Sequence, residues 1–170
     1  MAGKVLRLTL DGQPPSDNPI AGSLVYSWGH RNPQGLAWHQ RGELFAIEHG
    51  QLAHDEVNLI TPSSNYGWPM IQGDEKRVGM KAAWLNSGSQ TWAPSGATFV
   101  GDNLLVVALA PKGLYVFDKK QKNLRQIFSS GDRLRDVLTV GNAIYVITTN
   151  RSPCADGPSA DKLLKLTLRQ

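Results

Sequence analysis

The sequence predicts an all-β fold built from short strands. Apolar runs of four to six residues recur along the chain, and turn-forming residues separate them. The 17 Gly and 10 Pro among the 170 residues supply these turns, because Gly and Pro dominate positions where the backbone reverses. No segment combines a sustained apolar period of 3.6 residues with capping residues, as an amphipathic helix would.

The predicted strands follow one another through short connections. Turns at residues 40–42, 101–102 and 141–142 close three hairpins, and the two-residue Gly141-Asn142 loop suits a primed turn. Residues 74–85 are the one place where a short helix could form. Strands are predicted at residues 5–10, 35–39, 43–47, 56–60, 97–100, 103–108, 113–118, 124–128, 135–140 and 143–148.

The hairpin units repeat, and one strand sequence nearly recurs. KVLRLTL at 4–10 and KLLKLTL at 162–168 are identical at five of seven positions. A repeat of about 40 to 60 residues with about four strands is typical of a β-propeller blade. We therefore expect one domain over residues 1–170, with about three four-stranded blades. Chance convergence of short strand sequences is the alternative explanation of this repeat.

Composition and charge exclude several functional classes. A hydrophobic share of 41% and a charged share of 19% are those of a globular domain. The net charge is +4, but Lys and Arg are spread along the chain, so no nucleic-acid partner is expected. No apolar run is long enough for a membrane span, and no apolar signal segment follows Met1. The single Cys154 leaves the cellular compartment open.

Dense polar motifs lie between the apolar runs. GHRNPQG occupies 29–35, EHG occupies 48–50, DEVN occupies 55–58 and NYGWP occupies 65–69. Gly, Pro, Arg, Asn and acidic residues concentrated in loops between strands are typical of a ligand site on a rigid scaffold. These motifs predict a site formed by several loops.

In this order, the motifs resemble the soluble aldose sugar dehydrogenases that use pyrroloquinoline quinone (PQQ), the glucose/sorbosone dehydrogenase family. APSG at 93–96, Lys112 and RLRDV at 133–137 extend the resemblance over essentially the whole chain. Members of this family are longer, six-bladed propellers, and this chain resembles their C-terminal half. The resemblance also implies that the family's general-base histidine lies in the half that is absent here. Family members with signal peptides act in the periplasm.

The resemblance implies a set of cofactor-binding residues. PQQ is planar and bears three carboxylates, which the fork of an Arg side chain can bind with two hydrogen bonds. An alternative for Arg133 and Arg135 is pairing with Asp132 and Asp136 on a solvated turn. For Trp92, the alternative to an aromatic shelf is packing in the core. The implied residues are Arg31, Asn32, Gln34, Trp92, Lys112, Arg133 and Arg135.

Calcium is the second implied cofactor, and it prefers oxygen ligands that include backbone carbonyls. In the family, carbonyls of a Gly-Pro pair hold a calcium that contacts the quinone, and Gly50 and Gln51 occupy these positions here. The Pro-to-Gln difference keeps the carbonyl. A structural calcium in some relatives implies Glu56 and the carbonyl of Tyr66 as further ligands. The alternative for Asp55 and Glu56 is a solvated turn.

The four histidines do not match a zinc pattern, and no Gly-x-Ser-x-Gly motif suggests a hydrolase. His30 and His49 lie inside the motifs, and either could be proposed as a substitute base because imidazole titrates near neutrality. His39 and His54 are expected to be structural or solvated.

Two functional hypotheses follow. The first is a PQQ- and calcium-dependent aldose dehydrogenase that oxidises a sugar C1 hydroxyl to the lactone and passes electrons to an acceptor. The second is a non-catalytic half-propeller that pairs with a copy of itself, or with a complementing half, and binds an anionic ligand. A mass near twice 18.6 kDa is the expected sign of a homodimer.

Overall fold

The computed structural model describes residues 2–118, 122–151 and 160–167. Within these ranges the chain forms 14 strands and no helix. The strands are β1 Lys4–Leu6, β2 Val25–Trp28, β3 Pro33–Trp38, β4 Leu44–Glu48, β5 Glu56–Ile60, β6 Ser64–Asn65, β7 Leu85–Asn86, β8 Pro94–Val100, β9 Asn103–Ala108, β10 Gly113–Asp118, β11 Asn123–Phe128, β12 Leu134–Val140, β13 Ala143–Thr148 and β14 Leu163–Thr167.

The strands form four sheets, so the all-β prediction is confirmed. Two sheets have four strands, in the orders β3-β4-β5-β7 and β8-β9-β10-β11. Two have three strands, in the orders β1-β2-β6 and β12-β13-β14. The strand β8 packs against both β3 and β12, which makes these three the inner strands of neighbouring sheets. All described strand pairs are antiparallel except the short β2–β6 pair, and successive sheets arranged this way are the blades of a β-propeller.

The core lies between neighbouring sheets. The face of the β3-β4-β5-β7 sheet that includes Phe45, Ile47 and Val57 packs against Leu104 and Val106 of the next sheet. The other face of the β8-β9-β10-β11 sheet, including Val107, packs against the sheet of β12. Alternating side chains of one strand thus enter different cores, as the two-residue period of a strand requires. This explains why the strands have nearly continuous apolar sequences.

Several predicted strands match the observed bounds, and the differences have local causes. The prediction missed the short strands β2, β6 and β7. The first predicted strand ends early because Thr9 closes a turn, donating its N–H to the carbonyl of Gln13 at 2.9 Å. Residues 74–85 form turns and the start of β7 rather than a helix. Cys154 and the rest of 152–159 fall outside the described residues.

The two segments with nearly identical sequences occupy comparable positions. The strand β1 lies at one side of its sheet and pairs with β2, while β14 lies at one side of its sheet and pairs with β13. Within the described ranges, no helix has the length and hydropathy that a transmembrane segment needs.

Candidate functional site

The strand register places the predicted site residues at one edge of the sheets. Pro33 at the start of β3 pairs with Glu48 at the end of β4, and Glu48 pairs with Glu56 at the start of β5. In the next sheet, Pro94 at the start of β8 pairs with Ala108 at the end of β9. The first residues of the inner strands β3, β8 and β12 also lie next to one another, although these strands belong to different sheets. We call this edge, which carries the loops before β3, β8 and β12, the site edge.

Each inner strand has an irregular register where it leaves the site edge. The shifts lie between Pro33 and Gly35, between Pro94 and Ala97, and between Leu134 and Asp136. Such bulges change the direction of nearby side chains and are frequent beside functional sites. The three interruptions therefore coincide with three of the predicted cofactor-binding segments.

Close backbone packing fixes the distance between these inner strands. A Cβ atom on Gly96 would lie 2.0 Å from Asp136 Oδ1 and 2.7 Å from its Cα. The hydroxyl of Ser95 donates to the carbonyl of Leu134 at 3.3 Å and also contacts the carbonyl of Arg135. The segment that carries Arg133 and Arg135 is thus tied to the start of β8.

Arg31 is held in place from both its backbone and its side chain. Its backbone N–H donates to Glu48 Oε2 at 2.8 Å, and its Nη1 donates to the carbonyl of His49 at 3.0 Å. The guanidinium lies 5.6 Å from the ring centroid of Trp68, within the range of a cation–π contact. Beside it, Gln34 Nε2 donates to Asn32 Oδ1 at 2.8 Å.

A buried carboxylate organises the residues beneath Arg31. Glu48 Oε1 lies 2.9 Å from His30 Nδ1 and accepts from Asn58 Nδ2 at 2.7 Å. The other ring nitrogen of His30, Nε2, lies 2.8 Å from Ser27 Oγ. The order Ser27, His30, Glu48 has the connectivity of a hydrolytic triad, but each of the three residues is at most 2% exposed. The arrangement therefore positions Arg31 and offers no exposed nucleophile.

The predicted metal ligands Glu56 and Tyr66 line a small cavity together with Glu48 and Gln72. Its volume of about 10 Å³ is close to that of one water molecule or one ion. Glu56 Oε2 accepts from Asn58 Nδ2 at 3.0 Å, and Oε1 accepts from the N–H of Gly73 at 2.8 Å. Burial raises the pKa of the Glu56 carboxyl above its usual range.

The oxygen atoms around this cavity fit calcium better than a metal that is bound by side chains alone. The described residues include no group of three or more His, Cys, Asp and Glu arranged to hold a metal ion. Glu48 and Glu56 contact the same amide nitrogen of Asn58, so a buried and a half-buried carboxyl group adjoin. A divalent cation would offset the cost of burying their charges, with carbonyl oxygens completing its coordination. Asn58 Oδ1 is also buried without a hydrogen-bond partner among the described residues.

The Gly50 and Gln51 segment follows β4 at the site edge. A Cβ atom on Gly50 would lie 1.8 Å from the carbonyl oxygen of Ala53, so the chain can turn tightly here only with Gly. The N–H of Gly50 donates to Asp55 Oδ1 at 2.9 Å. Asp55 is 3% exposed, so it is not part of a solvated turn.

Lys112, Arg133 and Arg135 reach the same edge from the two following sheets. Lys112 has a φ of +49°, which is unusual for a residue with a side chain. Its carbonyl accepts from Ser129 Oγ at 2.7 Å. The N–H of Arg133 donates to Asn150 Oδ1 at 3.0 Å.

In the part of the chain that the structure describes, Arg133 and Arg135 do not form the alternative ion pairs with Asp132 and Asp136. Asp132 pairs with Lys162 at 3.1 Å, and this contact lowers the pKa of the Asp132 carboxyl. Asp136 Oδ1 accepts from the N–H of Val137 at 2.8 Å. Among the described residues, neither Arg133 nor Arg135 forms an ion pair. Within the described ranges, no contact joins Arg133 or Arg135 to Arg31. The three arginines are related through the pairing of the strands, which places them at the site edge.

Trp92 occupies a core position, 8% exposed, in the cluster that includes Phe45 and Val106. This is the alternative considered for it, and a role against the cofactor stays a prediction. The candidate substitute base His30 has hydrogen bonds at both ring nitrogens. His49 Nε2 lies 2.6 Å from the carbonyl of Pro94. Hydrogen bonds therefore engage both ring nitrogens of His30 but only Nε2 of His49 among the described contacts.

Sequence reasoning missed the buried polar residues beneath the site. Glu48, Asp55 and Asn58 are each at most 3% exposed. Their signal was present, because Glu48 and Asn58 lie in otherwise apolar strand sequences, and a buried polar residue is an informative exception.

Comparison with known proteins identifies the same family that the motifs resemble. The model of the glucose/sorbosone dehydrogenase family matches residues 1–154. The chain belongs to this family. It is 31% identical to an aldose sugar dehydrogenase of Escherichia coli, with 89% of this chain and 49% of that protein aligned.

Solved structures of family members superimpose closely. The PQQ-bound aldose sugar dehydrogenase of Streptomyces coelicolor has a TM-score of 0.85 at 34% identity, covering 97% of this chain and 52% of that one. A putative glucose dehydrogenase of Thermus thermophilus has a TM-score of 0.84 at 37% identity, covering 96% and 55%. This member of the family thus spans about half the length of these relatives.

Proposed function

We propose that this chain supplies the cofactor-binding part of a PQQ- and calcium-dependent aldose dehydrogenase, which oxidises a sugar C1 hydroxyl to the lactone. The observation that carries the proposal is the strand register, which brings Arg31, Lys112, Arg133 and Arg135 to one edge of three sheets. Four cations on neighbouring loops suit a ligand with three carboxylates. The PQQ bound to the Streptomyces coelicolor aldose sugar dehydrogenase is such a ligand.

The four cations would bind and orient the cofactor. Arg133 and Arg135 have no competing acid among the described residues, so their donors are available to carboxylates. Arg31 is already restrained by His49 and Trp68, which reduces the entropy that binding would cost. When bound, PQQ supplies a two-electron hydride acceptor and calcium supplies Lewis-acid polarisation of its carbonyl. The carbonyls of Gly50 and Gln51 would hold that calcium.

Other parts of the reaction would come from outside this chain. The resemblance places the base that takes the hydroxyl proton in the half of the family fold that this chain does not span. His30 does not replace it, because Ser27 and Glu48 already occupy both ring nitrogens. We therefore propose that turnover requires a complementing half as well as an aldose and an electron acceptor.

A PQQ titration in excess calcium tests this proposal. Cofactor absorbance and the melting temperature of the protein would both be followed. Saturable binding with a rise in melting temperature is expected, and Arg133→Ala should weaken it. Arg125→Ala is the matched control, because Arg125 is exposed in the middle of β11. Absence of binding by the wild-type chain, or equal losses in both variants, would contradict the proposal.

A second candidate function is a non-catalytic half-propeller that pairs with its own copy and binds an anionic ligand. It is favoured by apolar side chains exposed on the face of the β12-β13-β14 sheet that is turned away from the β8-β9-β10-β11 sheet. Leu138 and Leu163 are 60% and 67% exposed there. Burial of such faces drives association.

Light scattering tests the second candidate. A mass near twice 18.6 kDa is expected for the dimer, and Leu138→Ser with Leu163→Ser should shift the population toward monomer. The control is Leu52→Ser, since Leu52 is 91% exposed in a loop outside this face. A wild-type monomer at all concentrations would rule out self-pairing.

A further inference from the structure

The buried carboxylate of Asp55 joins two loops of the site edge that belong to different sheets. Its Oδ1 accepts from the N–H of Gly50 at 2.9 Å, in the loop that follows β4. Its Oδ2 accepts from the N–H groups of Trp92 at 2.7 Å and Ala93 at 2.8 Å, in the loop that precedes β8. One side chain thus satisfies three backbone donors, and both of its oxygens are used.

The position of Asp55 is itself fixed. Its backbone N–H donates to Ser87 Oγ at 2.9 Å, and its carbonyl accepts from the N–H of Ser87 at 2.9 Å. Ser87 Oγ in turn donates to the carbonyl of Gln90 at 2.6 Å. Because Asp55 is 3% exposed, water cannot readily replace these contacts.

The loop on the far side of Asp55 has a strained conformation. Ala93 has a φ of +44°, a region that side chains other than those of Gly, Asn and Asp rarely occupy. Its N–H is bound by Asp55, and its carbonyl accepts from the N–H of Leu109 at 3.0 Å. Strained backbone persists where the surroundings determine it, and Asp55 is one of the groups that does so.

We propose that Asp55 is a positioning residue for the predicted calcium ligands. It fixes the Gly50–Gln51 carbonyls against the neighbouring sheet through Trp92 and Ala93, without contacting the cation or the quinone itself. This inference rests on the proposed function, since it concerns the same site. Groups that orient metal ligands typically change metal affinity by about 10- to 100-fold when they are replaced.

The substitution Asp55→Asn preserves side-chain shape and removes one acceptor. An amide has a single acceptor oxygen, so its NH₂ group must face either the Gly50 donor or the Trp92 and Ala93 donors. The loop whose N–H donor faces the NH₂ group then loses its hydrogen bond to residue 55. Arg31, Arg133 and Arg135 are not bound to Asp55, and their contact with the carboxylates of PQQ should persist.

The experiment compares PQQ binding by the wild-type chain, by Asp55→Asn and by the control Asp74→Asn, with excess calcium and with EDTA. Asp74 is exposed near the same edge and accepts from Asn86 Nδ2 at 2.8 Å. In calcium, Asp55→Asn should weaken PQQ binding by about tenfold or more, while the control changes it little. In EDTA, the wild type and Asp55→Asn should bind alike. Amide hydrogen exchange at Gly50 or Trp92 should accelerate in Asp55→Asn alone.

The outcomes separate the inference from the proposed function. If the wild-type chain binds PQQ but Asp55→Asn binds equally well in calcium, the positioning role is wrong and the proposed function stands. Equal weakening in calcium and in EDTA would also overturn it, because this indicates a general structural defect. If the wild-type chain binds neither calcium nor PQQ, the proposed function fails and the inference fails with it.

Discussion

His30 and Glu48 form a buried hydrogen bond of 2.9 Å between Nδ1 and Oε1, across 18 residues of sequence. The same carboxylate accepts from the backbone N–H of Arg31, so the first motif is tied to the end of β4. His30 also stacks on Tyr66, with ring centroids 4.7 Å apart, which adds the NYGWP motif to the group. Asn58 of the DEVN motif donates to the same carboxylate, so four motifs that are separate in sequence are one structural unit.

Glu48→Gln should destabilise the protein by about 1–3 kcal/mol, because its amide group would face at least one buried donor among those of His30, Asn58 and Arg31. Urea unfolding followed by tryptophan fluorescence measures this change. Glu75→Gln is the control, since Glu75 is exposed, and it should change the free energy of unfolding by less than about 0.5 kcal/mol. Equal stability of the two variants would show that the buried carboxylate is not needed.

Calcium should raise the melting temperature of protein pretreated with EDTA. At a calcium concentration about 100-fold above the dissociation constant, binding to the folded state stabilises by about 2.7 kcal/mol. Glu56→Gln should remove most of this shift, whereas Asp74→Asn should retain it. Differential scanning calorimetry provides the measurement. A full shift in Glu56→Gln would exclude Glu56 as a ligand.

Gly96→Ala should destabilise by about 1–3 kcal/mol, because the added methyl group would overlap Asp136 at the contact between β8 and β12. Gly101→Asn serves as the control. Gly101 has a φ of +55°, no atom lies within 4 Å of the position that a Cβ atom would take there, and Asn tolerates that region. Chemical denaturation of both variants decides whether close packing, rather than loss of any glycine, is responsible.

Asp102→Asn should weaken the opposite edge without affecting PQQ binding. Asp102 Oδ1 lies 2.9 Å from His39 Nε2 and joins the β8–β9 turn to the β3–β4 turn. Replacing the charged acceptor by a neutral amide should cost about 0.5–1.5 kcal/mol. Thermal unfolding and a PQQ titration would be measured on the same preparation. A large loss of PQQ affinity would mean that the two edges are coupled.

The sequence by itself determined the fold class and the family, and its polar motifs predict which residues form the site. The apolar runs at 56–60, 103–108, 113–118 and 143–148 became strands with those bounds, because strand bounds follow from local turn chemistry. The sequence did not predict β2, β6 or β7, whose two to four residues carry too little local signal.

Only the tertiary structure decided which polar residues are buried and what they bind. The partners of Glu48, Asp55 and Asn58 are defined only when the sheets pack, since a carboxylate or amide gives no local sign of its distant partner. Asp55 meets Trp92 across 37 residues, and Ser95 meets Arg135 across 40. Such contacts depend on how neighbouring blades adjoin. The chain therefore encodes its strands and motifs locally, whereas the packing of the inner strands brings the motifs to one edge of the sheets.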